Sequence, residues 1–147
     1  MEYKKKKKKM ESLVLNVTNA CNLKCKYCFV HKEEPHFMSL ETAIQAVEYG
    51  QKNKRKDSFF IVFFGGEPLL CYDTIIKPLV EYVKEKQYNV NFSITTNGTL
   101  LTKEKVDFLK QNNFCLLFSF DGSKETQDYN RSDSFDTIIK NIPYLLE

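Results

Sequence analysis

Short apolar runs alternate along this chain with amphipathic segments of helical period, and this alternation constrains the fold more than any other feature. The apolar runs predict β-strands at residues 12–18, 58–64, 90–95 and 114–120. The amphipathic segments predict helices at residues 39–49, 73–87, 102–111 and 134–146. Strands that alternate with helices form parallel sheets with right-handed crossovers. The sequence therefore predicts an α/β fold with four parallel strands in the order 1-2-3-4.

Residues at the segment ends predict where the helices begin and end. Ser39, Asp73 and Thr102 are suited to N-caps, and Gly50 to a stop after the first helix. The continuous apolar run at residues 58–64 predicts a strand that is buried on both faces.

A polar motif follows each predicted strand. Three cysteines follow the first strand, and Gly-Gly-Glu-Pro at residues 65–68 follows the second. Thr-Asn-Gly ends the third strand at residues 96–98, and Ser-Phe-Asp-Gly ends the fourth at residues 119–122. The carboxyl ends of parallel strands share one edge of a sheet, where α/β folds place their active sites. We therefore expect a single site to which all four segments contribute.

The positive charge of the chain is concentrated at its N-terminus. Residues 1–9 hold six lysines and one glutamate of the chain's 22 basic and 19 acidic residues, so the remainder carries a net charge of −2. We interpret residues 1–11 as a disordered Lys-rich tail and residues 12–147 as one domain. This distribution disfavours nucleic acid as the partner. Because no apolar run is long enough for a signal or a membrane span, we expect a soluble, cytoplasmic protein.

The cysteines at positions 21, 25 and 28 are the strongest indication of chemistry. Their clustering favours a metal site over disulfides. Three thiolates on one loop can bind three irons of a [4Fe–4S] cluster and leave the fourth iron open. The alternative is a zinc site completed by His31 or His36, although Cys-x3-Cys is a wide spacing for a zinc knuckle.

Other polar and sulfur-containing residues have simpler interpretations. Glycines at a strand end let a ligand approach the backbone, and Glu67 offers a carboxylate that can accept hydrogen bonds from an ammonium group. We interpret Cys71 as a buried free thiol, Cys115 as a core residue and Arg131 as solvated surface.

The Cys-x3-Cys-x2-Cys loop, followed by an aromatic residue and later by Gly-Gly-Glu-Pro, resembles the radical S-adenosylmethionine (SAM) superfamily. The segments at residues 95–98, 119–122 and 128–131 resemble its branch of anaerobic sulfatase maturases and peptide maturases, which often carry a SPASM domain. The resemblance covers roughly residues 13–146 and implies a partial TIM-like barrel.

This resemblance implies two cofactors, a [4Fe–4S] cluster on Cys21, Cys25 and Cys28, and SAM. Reductive cleavage of SAM would give a 5′-deoxyadenosyl radical for peptide or protein modification, with flavodoxin or ferredoxin as electron donor. The motif at residues 65–67 would contact the amino group of SAM, an aromatic residue would pack near adenine, and Ser119 would reach the ribose. The candidate SAM-binding residues are Tyr27, Phe29, Gly65, Gly66, Glu67, Pro68, Thr96, Asn97 and Ser119.

The chain departs from this family in length. A radical SAM core usually has about six βα units, against eight in a closed TIM barrel, and four are present here. We interpret the chain as truncated, as a fragment, or as half of a split enzyme that a second polypeptide completes. The alternative is a non-catalytic iron–sulfur or zinc-binding remnant. Because the fourth strand would be an unpaired edge, we expect self-association and little SAM cleavage by this chain alone.

Overall fold

The computed structural model describes residues 10–30 and 34–146, in which parallel strands alternate with helices. Most of the predicted tail and His31 lie outside the described residues. The strands are β1 (Ser12–Thr18), β2 (Phe59–Gly65), β3 (Val90–Thr96) and β4 (Cys115–Phe118). The helices are α1 (Leu40–Asn53), α2 (Lys77–Glu85), α3 (Lys103–Gln111), α4 (Lys124–Arg131), α5 (Phe135–Asn141) and α6 (Pro143–Leu146).

The four strands form one parallel sheet in the order β1-β2-β3-β4, which confirms the predicted α/β fold. In the register, Val14 lies opposite Val62, Ile61 opposite Phe92, and Thr95 opposite Leu117. Each strand therefore ends at the same edge of the sheet. Among the described residues, no helix is long and apolar enough to cross a bilayer.

The two faces of the sheet differ in burial. Phe59, Ile61 and Phe63 point to the helix-covered face and are at most 1% exposed, whereas Phe60 between them is 46% exposed. The prediction that β2 is buried on both faces is therefore wrong, because the described helices cover one face only. Cys115 shares the uncovered face and is exposed, so its interpretation as a core residue is also wrong.

The first helix runs past the predicted stop. Ser39 caps α1 by accepting a hydrogen bond from the Thr42 amide, as predicted, but the helix continues through Gly50 to Asn53. A Cβ atom at Gly50 would lie 2.8 Å from the Phe59 ring. The glycine therefore provides close helix–strand packing and does not end the helix.

The second and fourth predicted helices are divided. A 3-10 turn (Pro68–Cys71) and a π turn (Tyr72–Ile76) precede α2, so Asp73 lies inside a turn and is not a cap. The fourth predicted helix is split into α5 and α6. Helix α4 was not predicted, because its sequence has no apolar stripe and Gln127 is its buried residue.

Candidate functional site

An open cavity of about 220 Å³ lies at the carboxyl edge of the sheet and brings together all four segments that follow the strands. All three clustered cysteines line it. The lining residues are Cys21, Cys25, Tyr27, Cys28, Phe29, Val30, Phe64, Gly65, Gly66, Thr95, Thr96, Asn97, Ser119 and Arg131. Among the candidate SAM-binding residues, Glu67 and Pro68 do not line this cavity.

The loop after β3 holds the beginning of the cysteine segment. The Asn97 side-chain amide donates to the Cys21 sulfur at 3.8 Å and to the Asn22 side-chain oxygen at 3.0 Å. Asn22 in turn donates to the Thr99 hydroxyl at 2.7 Å, and the Leu23 amide donates to the Cys21 sulfur at 3.4 Å. Two N–H groups thus face one sulfur, an arrangement that stabilises the thiolate form of Cys21.

The segment after β4 holds the rest of the cysteine loop, which we define as residues 21–28. The Tyr27 hydroxyl lies 2.8 and 2.7 Å from the two carboxylate oxygens of Asp121. Arg131 Nε donates to Asp121 Oδ1 at 2.9 Å, and the Arg131 side chain is only 14% exposed. The interpretation of Arg131 as solvated surface is therefore wrong, because Asp121 and the Tyr27 ring cover it.

Opposing influences act on these ionisable groups. Burial alone would raise the pKa of Asp121, but hydrogen bonds from Tyr27 and Arg131 outweigh it, so the pKa of Asp121 lies below its ordinary value. Burial, together with the hydrogen bond to Asp121, raises the pKa of Tyr27 to about 12. Asp121 is thus a stable anion in contact with a neutral phenol and a guanidinium cation.

The two glycines after β2 are required by close packing against the end of β1. Gly65 has φ +140°, and a Cβ atom there would lie 2.1 Å from the Thr18 carbonyl oxygen. A Cβ atom on Gly66 would lie 2.2 Å from the Ala20 carbonyl oxygen. The Gly66 amide donates to Thr18 O at 2.7 Å. The glycine pair therefore brings backbone to the cavity wall and also joins β2 to the start of the cysteine segment.

Glu67 lies in the interior, behind the lining of the cavity. Its side chain is fully buried and accepts hydrogen bonds from the Thr96 hydroxyl at 2.7 Å, the Asn97 amide at 2.8 Å and the Leu69 amide at 3.0 Å. Burial raises the pKa of Glu67, and the hydrogen bonds from Asn97 and Leu69 partly oppose that shift. The carboxylate therefore braces the loops after β2 and β3, and Pro68 beside it is buried at the start of the 3-10 turn.

The remaining candidate residues divide between the cavity and the rest of the fold. Tyr27 and Phe29 are 54% and 77% exposed, and the Phe29 ring stacks on Phe64 with centroids 6.3 Å apart. Cys71 is buried, as predicted, and donates to the Val17 carbonyl oxygen. His36 does not line the cavity. The exposed rings of Tyr27 and Phe29 thus line the same cavity as the three clustered cysteines.

The donor set fits an iron–sulfur cluster. Three thiols share one cavity wall, and Cys21 already accepts two N–H donors. Thiolate sulfur is the ligand that such clusters require. Within residues 10–30 and 34–146, no three His, Cys, Asp or Glu side chains are arranged to hold a metal ion. Cys21, Cys25 and Cys28 therefore line the same cavity, but they are not arranged as the ligands of a single metal ion.

A family model described as the radical SAM superfamily matches residues 15–147. The chain belongs to the radical SAM superfamily. The resemblance read from the sequence motifs is thereby confirmed, and membership implies the two predicted cofactors, a [4Fe–4S] cluster and SAM.

Relatives by sequence include a cyclopropyl synthase and a sulfatase-maturating enzyme. The chain is 32% identical to the radical SAM cyclopropyl synthase TigE of Paramaledivibacter caminithermalis, over 94% of this chain and 33% of TigE. It is 31% identical to a cysteine-type anaerobic sulfatase-maturating enzyme of Clostridium novyi, over 94% of this chain and 41% of that enzyme. The chain thus spans only about a third to two fifths of these relatives.

Solved structures agree in fold. The enzyme anSMEcpe with bound AdoMet (SAM) superposes with a TM-score of 0.82 at 28% identity, over 92% of this chain and 40% of that one. Streptococcus suis SuiB bound to SAM superposes with a TM-score of 0.74 at 23% identity, over 94% of this chain and 32% of SuiB. Most of the present chain therefore shares the fold of a SAM-bound homologue.

Sequence reasoning missed the contact between the cysteine loop and the segment after β4. The segments at residues 119–122 and 128–131 indicate the family, but nothing in the sequence assigns a partner to Asp121. The composition of α4 was the available indication, since a helix with almost no apolar residue must dock through polar contacts.

Proposed function

We propose that this chain is the N-terminal part of a radical SAM core, in which Cys21, Cys25 and Cys28 hold a [4Fe–4S] cluster and the adjoining cavity holds SAM. The observation that carries this proposal is the convergence of three thiols and the residues after β2, β3 and β4 on one cavity. Held there, the cluster would supply the one electron needed to cleave SAM into methionine and a 5′-deoxyadenosyl radical, which would take a hydrogen atom from the substrate.

The chain's own residues would bind and orient SAM. Gly65 and Gly66 offer backbone without side-chain bulk, which lets a polar ligand come close. Thr96, Asn97 and Ser119 supply hydroxyl and amide groups at the strand ends. The exposed rings of Tyr27 and Phe29 suit a purine.

Glu67 and Pro68 would act indirectly in this site. The buried Glu67 carboxylate holds Thr96 and the Asn97 amide at the cavity wall. Asn97 in turn contacts the Cys21 sulfur, so the Glu67 contact extends to the cluster ligand. This arrangement supports a positioning role for Glu67 and not a direct contact with the SAM amino group.

A peptide or protein is the substrate class that we propose. One neighbour was solved with AdoMet and the Cp18Cys peptide, at 28% identity and a TM-score of 0.80. A flavodoxin or ferredoxin would deliver the electron, and the reduced thiols and cluster fit a cytoplasmic compartment.

The exposed edge strand β4 supports the proposal that further strands extend the sheet. Within residues 10–30 and 34–146, β4 pairs with β3 and with no other strand, and Leu117 is 54% exposed. We infer that additional strands, from a longer chain or a second polypeptide, pair with β4 and close the cavity.

Anaerobic reconstitution with iron and sulfide tests the proposal. We expect close to four irons and four sulfides per chain and a reduced-cluster EPR signal that changes when SAM is added. The Cys25→Ala variant should lose the bound iron and sulfide and the EPR signal. Cys71→Ala serves as the matched control, since Cys71 lies outside the cavity, and should retain the cluster. Binding of zinc without sulfide, or a cluster that survives Cys25→Ala, would contradict the proposal. We expect 5′-deoxyadenosine production to remain low unless strands that pair with β4 are supplied.

A further inference from the structure

The two halves of the cysteine loop are held by different parts of the fold. The first half, which contains Cys21, is held by the loop after β3 through Asn97. The second half, which contains Cys25 and Cys28, has a local hydrogen bond from the Cys28 amide to the Cys25 carbonyl oxygen at 3.2 Å. Three residues of this half also form hydrogen bonds with residues more than 90 positions later in the sequence: Lys24, Lys26 and Tyr27.

Two of these distant contacts are made by the C-terminal end of α4 and the residue that follows it. The Lys26 amide donates to the Asn130 carbonyl oxygen at 2.9 Å, and the Lys24 amide donates to the Ser132 hydroxyl at 2.9 Å. Ser132 has a left-handed backbone, with φ 58°. A left-handed backbone is unfavourable for a residue other than glycine. Such a conformation persists only where the surrounding contacts stabilise it.

Asp121 connects this helix end to the loop. Its carboxylate accepts hydrogen bonds from Tyr27 on the loop and from Asn130 and Arg131 on α4. Its amide donates to the fully buried Gln127 side chain at 2.8 Å. Charged acceptors form stronger hydrogen bonds than neutral ones. One carboxylate thus joins three elements: the end of β4, α4 and the cysteine loop.

We propose that Asp121 is a positioning residue for the cysteine loop, which it holds against the end of α4 through Tyr27 so that Cys25 and Cys28 stay at the cavity wall. This inference rests on the proposed function only in treating these cysteines as cluster ligands. The contacts among Asp121, Tyr27 and α4 are present without any cofactor, and they can therefore be tested on the chain alone.

Limited trypsin digestion of the chain without a cluster tests this directly, because Lys24 and Lys26 are exposed cleavage sites within the loop. Protease cleavage of a folded protein follows the population of the locally opened state. Removing a charged hydrogen-bond partner costs enough to raise that population roughly tenfold. Removing the Tyr27 hydroxyl deletes one contact of an exposed side chain, where water can replace it, and should raise the population roughly threefold. We expect about tenfold faster cleavage after these lysines in Asp121→Ala, and about threefold in Tyr27→Phe.

The control is Asp136→Ala, which removes the same charge from α5, where the carboxylate pairs with Lys124 and not with the loop. We expect its cleavage rate to match that of the unmodified chain. Unchanged cleavage in folded Asp121→Ala would overturn the proposal. Faster cleavage in Asp121→Ala with no change in Tyr27→Phe would assign Asp121 a role in folding α4 alone and would equally overturn it. If Asp121→Ala does not fold, Tyr27→Phe decides.

Iron release from the reconstituted chain separates this proposal from the proposed function. A chelator should remove iron faster from Asp121→Ala and Tyr27→Phe than from Asp136→Ala. If even the unmodified chain takes up no cluster, the proposed function is wrong, and the trypsin result still decides whether Asp121 holds the loop. If iron release is equal in all variants while trypsin cleavage differs, the loop contact exists but does not position the cluster, which overturns the proposal.

Discussion

Two carboxylates, Glu67 and Asp121, organise the carboxyl edge of the sheet by opposite means. Glu67 is fully buried among neutral donors, the Thr96 hydroxyl and the backbone amides of the loops that it braces. Asp121 lies nearer the surface and has a cationic partner, Arg131. The pKa of Glu67 is raised by burial, whereas the pKa of Asp121 is lowered by its partners despite burial.

The difference shows that the carboxylate of a sequence motif can be occupied by the protein's own hydrogen-bond donors. Glu67 belongs to the Gly-Gly-Glu-Pro motif, and sequence chemistry suggested an ammonium contact for it. Its three hydrogen bonds join the loops after β2 and β3 in the interior. Removing the carboxylate would leave the donors of these bonds unpaired. Asp121 joins β4 to the cysteine loop at the cavity mouth. Glu67 should therefore matter most for stability, and Asp121 most for the loop.

The largest effect is expected for Glu67→Ala. The substitution leaves the Thr96 hydroxyl and the amides of Asn97 and Leu69 without their acceptor in the interior. Each unpaired buried group costs about 1–3 kcal/mol, so the free energy of unfolding should fall by at least ~3 kcal/mol. Urea unfolding followed by circular dichroism would measure it. The matched control is Glu81→Ala on the exposed side of α2, for which a change within about 0.5 kcal/mol is expected. Equal losses in the two variants would show that Glu67 does not brace these loops.

A smaller effect with a distinctive pH dependence is expected for Glu67→Gln. The glutamine amide retains one acceptor oxygen but sets an NH₂ group against a backbone amide, which costs about 1–3 kcal/mol. Because the folded-state pKa of Glu67 is raised above its ordinary value of 4.5, the unfolded chain loses its proton first as pH rises. This carboxyl group therefore contributes less stability as pH rises above about 4.5.

The pH dependence can be read from the difference between the two proteins. The stability advantage of the unmodified chain over Glu67→Gln should be largest at acidic pH and should shrink as pH rises toward neutrality. Urea unfolding at a series of pH values would measure this difference. A constant difference across that range would mean that Glu67 titrates normally in the folded chain.

The sequence predicted the sheet well because its order depends on local alternation, which is visible in the apolar runs. It failed where burial depends on what covers a face, as at Phe60 and Cys115, and where a helix docks by polar contacts, as in α4. The residues around the cavity could be assembled from the strand-end rule. The direction of the Glu67 carboxylate could not, because it depends on hydroxyl and amide groups nearly 30 residues later in the chain.

The smallest effect concerns Asp121→Asn and has the opposite sign in pH. The folded-state pKa of Asp121 lies below its ordinary value of 3.8, so the folded chain holds the anion to lower pH than the unfolded chain does. Its contribution to stability is therefore present above about pH 4 and is lost as pH falls through the folded-state pKa. Asparagine is neutral at all these pH values and keeps one acceptor for Tyr27. The stability difference between the unmodified chain and Asp121→Asn should accordingly be largest near neutrality and shrink below pH 4, whereas the Glu67→Gln difference shrinks in the other direction. Both can be followed in one series of urea titrations between about pH 3 and pH 7, and differences that move in the same direction would remove the contrast between the two carboxylates.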